Sequence, residues 1–212
     1  MEACKLIVIR HGETEWNVKG VWQGQKNSPL TERGLQQADA VGLRLSKLQI
    51  DKIYSSDLGR CLRTALPAAT ALGKEVIQDE RLRERAFGVL EGLTKEESES
   101  KYPGVWEGVS RKDPDYKPEG GESLREKQFR FEEVFRDIAA QNSGKTVVVF
   151  THGGGVDAIL RKTIGLTLSQ ARPYTLWNCS LNVFEVRGDL WTLETLGDVS
   201  HLDGIESAFR PR

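Results

Sequence analysis

Two histidines in this chain are placed to meet. Arg10-His11-Gly12 and Thr151-His152-Gly153-Gly154 each follow an apolar run, Leu6-Ile7-Val8-Ile9 and Val147-Val148-Val149-Phe150. Such runs form strands buried on both faces. Strand exits in a parallel sheet share one edge, where ligands bind, so the two imidazoles are expected in one pocket. Arg10 joins them from the first strand. Arg60 comes from the helix after Tyr54-Ser55-Ser56-Asp57, near another strand exit. Two guanidiniums can grip phosphate oxygens through paired hydrogen bonds. The glycines from Gly153 onward leave bare backbone N–H groups at a helix start, which favours an anion. A phosphomonoester is a dianion at neutral pH, and moving its phosphoryl group takes charge neutralisation, an in-line nucleophile and a proton for the leaving oxygen. The set predicts phosphoryl transfer at a site built without metal. Singly, each residue has an ordinary structural explanation; their joint occurrence at three strand exits carries the expectation.

The acid is less distinct. Arg81-Leu82-Arg83-Glu84-Arg85-Ala86-Phe87-Gly88 follows a third short strand. Glu84 is either one member of a solvated ion-pair run or a carboxyl beside the leaving oxygen. Charge alone does not separate the two.

The elements that must position these groups follow from periodicity. After the first strand comes a loop rich in glycine and glutamine. Thr31 is expected to cap a helix buried through Leu35, Ala38, Val41, Leu45 and Leu48. Strands are expected over 50–55 and 75–78, and a helix over 58–72 that Pro67 should kink or shorten. Residues 87–121 change to Glu, Lys, Gly, Pro and aromatics with weak periodicity, so they are expected as a small inserted cap. Ser123-Leu124-Arg125-Glu126 has the capping-box pattern of a new helix. A helix over about 155–164 follows the second histidine. Gly188-Asp189 marks a C-terminal hairpin. The alternation predicts an α/β fold: a three-layer α/β/α sandwich with a mainly parallel central sheet, in one domain over 1–212.

Bulk composition excludes other classes. The 212 residues carry 30 Lys and Arg against 31 Asp and Glu, so no global field draws the chain to nucleic acid or an anionic membrane. No apolar run approaches the ~20 residues that span a bilayer. With a strand expected almost from Met1, no secretory signal is expected. Cys4, Cys61 and Cys179 lack metal-ligand spacing and are expected as reduced thiols of a cytoplasmic protein. Gly144-Lys145-Thr146 precedes its strand and lacks the earlier glycine of a phosphate-cradling loop, so it is a turn.

A set of motifs runs in order along the chain. It comprises Arg10-His11-Gly12-Glu13-Thr14-Glu15-Trp16-Asn17, Gln23-Gly24, Pro29-Leu30-Thr31-Glu32-Arg33-Gly34 and Ser55-Ser56-Asp57-Leu58-Gly59-Arg60. Leu82-Arg83-Glu84, Phe87-Gly88-Val89-Leu90-Glu91-Gly92, Gly120-Gly121-Glu122-Ser123 and Thr151-His152-Gly153-Gly154 complete it. In this set and order, residues 6 to about 160 resemble the histidine phosphatase superfamily, also called phosphoglycerate-mutase-like. The resemblance implies that fold, no cofactor, and His11 as nucleophile carrying a transient phosphohistidine. Arg10, Arg60 and His152 would bind the phosphoryl oxygens, and Glu84 would protonate the leaving alkoxide and then activate water. Asn17 and the backbone of Gly153 would add phosphate contacts, with Thr14, Gln23 and Gly24 lining the substrate side.

The short Glu84–Gly121 segment, the loop 22–30, and Gly153-Gly154 where glycolytic mutases have Gly-Asn all look like the phosphatase branch. The expected function is metal-independent hydrolysis of small phosphomonoesters. A cofactor-dependent phosphoglycerate mutase is the alternative, and a non-catalytic phospho-ligand module is the minor one. The expected partner is a small phosphorylated metabolite; oligomeric state stays open, a homodimer included. Many phosphatase members have arginine five residues after the second histidine, where this chain has Asp157. Phe87, Tyr102, Trp106, Arg111 and Lys112 are cap candidates for specificity, with the aromatics equally suited to packing the cap. His201 is expected to be packed or at the surface.

Overall fold

Four parallel strands end on one edge, and the candidate residues sit at that edge. A computed structural model describes residues 2–205. The strands are β1 (Cys4–Arg10), β2 (Lys52–Ser55), β3 (Val76–Gln78), β4 (Thr146–Thr151), β5 (Leu181–Arg187) and β6 (Leu190–Asp198), in the sheet order β3-β2-β4-β1-β5-β6. β1, β2, β3 and β4 pair in parallel, and β5 runs antiparallel to β1. The register aligns Arg10 with Thr151 and Ser55 with Phe150, so three strand exits lie level. Backbone bonds from His11 N–H to Thr151 C=O (2.9 Å) and from Ser56 N–H to Phe150 C=O (2.9 Å) extend that alignment one residue past the strands.

The helices are α1 (Glu15–Lys19), α2 (Glu32–Leu45), α3 (Gly59–Leu72), α4 (Lys95–Lys101), α5 (Pro103–Ser110), α6 (Leu124–Gln141) and α7 (Gly153–Ile164). Successive strand residues point to opposite faces, so each strand feeds two cores. Leu6, Val8, Val147 and Val149 pack with Phe131, Phe135, Ile138, Val156 and Ile159 from α6 and α7. Ile7, Ile9, Val148 and Phe150 pack with Val41, Leu45, Ala65 and Ala68 from α2 and α3. Burying each large side chain contributes about 1.5–3 kcal/mol, which explains why the strand runs are apolar on both faces. The result is three layers, with the β5–β6 hairpin completing one side of the sheet.

α3 runs unbroken for 14 residues through Pro67, so the expected shortening does not occur. Pro67 sits where α3 meets α2, and a Cβ on Gly42 would lie 2.9 Å from it. The close fit of the two helices holds α3 in register despite the missing N–H. α7 begins at Gly153, two residues before the expected position, because His152 itself is the N-cap. β3 begins at Val76, one residue later than expected. The excursion carrying α4 and α5 is closed at its base by an antiparallel bridge between Phe87 and Gly121. Among the described residues no helix is long and apolar enough to cross a membrane.

Candidate active site

His11 is buried, and its Nδ1 lies 2.8 Å from the carbonyl oxygen of Gly12. A carbonyl only accepts, so Nδ1 carries the proton and Nε2 keeps its lone pair. Burial, then the charges of Arg60 and Arg10, hold this imidazole well below its ordinary pKa. The ring is therefore held neutral, with the Nε2 lone pair free. Its backbone is pinned: Asn178 Nδ2 donates to His11 C=O (2.8 Å), and Gly12 N–H donates to Thr64 Oγ1 (2.9 Å). Gly12 is required there, since a Cβ would stand 2.7 Å from Gly34 O.

Arg10 is buried and donates from Nη1 to Leu176 C=O (2.6 Å), while its Nε has no partner. Burial lowers its pKa to about 10, with Glu84 opposing, so it stays cationic at neutral pH. A buried donor without an acceptor is costly, and an anion in the cavity would satisfy it.

Arg60 is arranged differently from the paired phosphate grip expected of it. Nη2 donates to Gly24 C=O (2.7 Å), and Nη1 donates to Lys26 C=O (2.7 Å) and Asn27 Oδ1 (3.4 Å). Nε donates to His152 Nδ1 at 3.2 Å. Of five N–H groups these bonds leave one, on Nη2. Arg60 thus ties the loop 24–27 to the sheet edge and presents charge more than a free fork.

That contact also fixes His152. An arginine N–H only donates, so Nδ1 accepts and Nε2 carries the proton toward Ser56 Oγ at 2.9 Å. His152 is fully buried, its ring edge-on to His11 with centroids 5.2 Å apart. Burial, then Arg60, keeps it neutral far below its ordinary pKa. It stands behind Arg60, outside the cavity lining.

Glu84 lies across from the arginines. Its Oε2 accepts from Gly154 N–H (3.0 Å) at the start of α7, and Oε1 accepts from Arg85 N–H (2.7 Å). Gly153 separates it from Arg10: a Cβ there would be 3.8 Å from Arg10 Nε and 3.9 Å from Glu84 Oε2. Arg130 secures the segment, donating from Nη1 to the carbonyls of Arg81 (2.6 Å) and Arg83 (2.8 Å) while pairing with Glu122. The solvated-run alternative for Glu84 is set aside, because its carboxylate faces the cavity on a helix N-terminus.

His11, Arg10, Arg60, Glu84, Gly153 and Gly154 form the base of a cavity of about 660 Å³. Asn17, Gln23 and Gly24 also line it. Asn17 accepts at Oδ1 from Thr14 N–H (3.1 Å) and Asn178 (3.4 Å), which leaves its amide N–H groups for a ligand. Thr14 does not line the cavity: its side chain accepts from Asn17 N–H as the cap of α1 and is fully buried. Trp16, Trp22 and Phe87 form one wall, and Trp106 packs edge-on against Trp22 at 5.9 Å. Tyr102, Arg111 and Lys112 lie outside the lining, with Arg111 paired to Glu107. His201 donates to Cys179 C=O (3.0 Å), also outside the lining. The three cysteines are free and buried, and burial pushes the Cys61 thiol up to about 12. Ser56, Asn178, Arg130, Lys127 and Arg172 are site or supporting residues that sequence reasoning missed. Only Ser56 had a signal, in the Ser55-Ser56-Asp57 motif.

Residues 6–199 match the sequence profile of the histidine phosphatase superfamily (branch 1). The chain is 38% identical over 208 residues to phosphoglycerate mutase-like protein 4 of Arabidopsis thaliana, covering 96% of this chain and 89% of that one. It is also 38% identical over 208 residues to the metal-independent phosphoserine phosphatase of Arabidopsis thaliana, covering 96% and 85%. The solved structure of Bacillus stearothermophilus YhfR superposes with a TM-score of 0.86 at 35% identity, covering 94% of this chain and 99% of that one.

Proposed function

The chain belongs to the histidine phosphatase superfamily, and from that membership we propose that it hydrolyses small phosphomonoesters through a phosphohistidine on His11. It is an enzyme of phosphoryl transfer, phosphatase or mutase. One observation carries the assignment of the nucleophile. His11 Nδ1–H is held by Gly12 C=O, so the lone pair of Nε2 is the reactive end, and Arg10, whose Nε is unpartnered, lines the same cavity.

The steps follow from those positions. The phosphate dianion settles against Arg10, the remaining N–H of Arg60, the amide of Asn17 and the backbone at Gly153. Nε2 of His11 attacks phosphorus as the ester P–O bond breaks. The ring becomes cationic, and the Nδ1–H bond to Gly12 C=O strengthens. Glu84 gives a proton to the leaving oxygen. It then takes a proton from water, whose oxygen attacks phosphorus and releases phosphate and neutral His11. His152 acts through Arg60, holding its guanidinium in place.

A phosphatase is favoured over a mutase by the short cap, which carries α4 and α5, and by the likeness to a phosphoserine phosphatase that works without metal. Likeness to a phosphoglycerate mutase-like protein keeps the mutase as the second reading. We place the enzyme in the cytoplasm as one domain with 87–121 as its cap, acting on a small phosphorylated metabolite. The test is a phosphomonoester panel in EDTA with wild type and His11→Ala. Phosphate release by wild type and none by the variant is expected; wild-type activity that EDTA abolishes contradicts the mechanism. Isomerisation of 3-phosphoglycerate with a bisphosphoglycerate primer, without phosphate release, establishes the mutase instead.

A further inference from the structure

Two stretches of chain, the loop 22–27 and the segment 84–93, both contribute walls to the cavity, and a carboxylate outside the lining joins them. Trp22 N–H donates to Leu93 C=O (2.9 Å), and Gly92 N–H returns a bond to Trp22 C=O (2.8 Å). Past this rung stands Glu91. Its Oε1 accepts from Gln25 N–H (3.0 Å) in the loop and from Phe87 N–H (2.9 Å) in the segment. Its own carbonyl accepts from Lys26 Nζ (2.8 Å). Gln25 Nε2 also reaches Glu84 C=O (3.3 Å). Gly24 makes room for the carboxylate: a Cβ there would stand 2.0 Å from Glu91 Oε1. Backbone N–H bonds to a carboxylate are roughly twice as strong as neutral ones, and here two from separate stretches converge on one oxygen.

Each bond ends next to a group of the site. Gln25 lies between Gly24 and Lys26, whose carbonyls take Nη2 and Nη1 of Arg60 at 2.7 Å each. Phe87 lies three residues after Glu84. Burial lowers the pKa of Arg60, and Glu91 is among the groups that oppose it. We propose that Glu91 is a positioning residue for phosphoryl transfer: its Oε1 fixes the loop that holds Arg60 against the segment that carries Glu84, so the cation and the acid keep their spacing across the cavity. This rests on the roles given above to Arg60 and Glu84. The requirement is one of place, because a glutamine sets an amide oxygen at the same point while an aspartate keeps the charge and falls one methylene short. If Glu91 only fastens the base of the cap, its loss lowers stability and leaves phosphate affinity and leaving-group dependence as they are.

The experiment measures two quantities in wild type, Glu91→Ala, Glu91→Asp and Glu91→Gln, with urea melts to establish folding. The inhibition constant of inorganic phosphate reports the grip of Arg60, and the ratio of kcat/KM for glycerol 3-phosphate to that for nitrophenyl phosphate reports the acid. Glu91→Ala should weaken phosphate inhibition on the order of tenfold as Arg60 loosens. It should also slow glycerol 3-phosphate roughly tenfold more than nitrophenyl phosphate as Glu84 drifts. Glu91→Asp should do the same, and Glu91→Gln should stay within about threefold of wild type on both measures. If Glu91→Ala does not fold, the contrast between the aspartate and glutamine variants decides. Folded Glu91→Asp with the wild-type inhibition constant and ester ratio overturns the proposal, and so does Glu91→Gln as impaired as Glu91→Asp. Wild type that releases no phosphate from nitrophenyl phosphate defeats the phosphatase reading, whereas release with both measures unchanged in the variants defeats only the role of Glu91.

Discussion

Gly154→Ala separates the proposed acid, Glu84, from the proposed nucleophile, His11, without touching either. A Cβ on Gly154 would stand 2.0 Å from Oε1 and 3.1 Å from Cδ of Glu84. Ordinary contact begins near 3.4 Å, so the oxygen must retreat by about 1.4 Å. That retreat breaks the bonds from Gly154 N–H (3.0 Å) and Arg85 N–H (2.7 Å) that aim the carboxyl. The backbone tolerates the change, because Gly154 lies in the first turn of α7 and alanine favours helix by up to ~1 kcal/mol. Stability should therefore stay within about 1 kcal/mol of wild type in urea melts. Displacing a catalytic group by about 1 Å costs on the order of 10²-fold in rate. kcat/KM for glycerol 3-phosphate should fall by roughly that factor, with a much smaller loss for nitrophenyl phosphate, whose leaving group needs little protonation. Equal losses on both esters, or full activity on the alkyl ester, would refute the placement of Glu84 as the acid.

Glu84→Gln keeps the shape of the side chain and removes the transferable proton; alkyl ester turnover should drop about 10²- to 10⁴-fold, more than nitrophenyl phosphate turnover, in steady-state assays. Burial depresses both His11 and His152 below 6.5, so the unfolded chain takes up protons first as the pH falls and stability declines. From pH 6.5 to 5.5 the two together should remove about 2 kcal/mol from the free energy of unfolding. Urea midpoints that do not move across that interval contradict the burial of the pair as neutral rings.

The strand exits were legible because apolar runs flanking Arg10-His11 and Thr151-His152 have one physical solution, a sheet covered on both faces. Thr31 and Ser123 were legible for the same local reason, since each cap is decided by its own first turn. The fate of Pro67 was not, because packing against Gly42 lies outside any window around the proline. Nor was the division of labour between the arginines. Arg10 and Arg60 look alike in sequence, but loop carbonyls at Gly24 and Lys26 take up Arg60, while Arg10 keeps an unpartnered Nε. Thr14 is expected on the substrate side from sequence; only the fold of its own turn shows it capping α1 through Asn17 instead. Lys127 reads as one more polar position of an amphipathic helix; only the meeting of α6 with α7 buries it against Asp157. Asn178 lies in a stretch without periodicity, so nothing in the sequence ties it to His11.

Trapping the covalent enzyme tests the reaction most directly. Wild type mixed with a labelled phosphomonoester and quenched in base within the first turnover should carry acid-labile phosphate on His11, bonded to Nε2, because Nδ1 is engaged by Gly12 C=O. Phosphate found on Nδ1 or on His152, or steady turnover with no phosphorylated protein at any time, would contradict it.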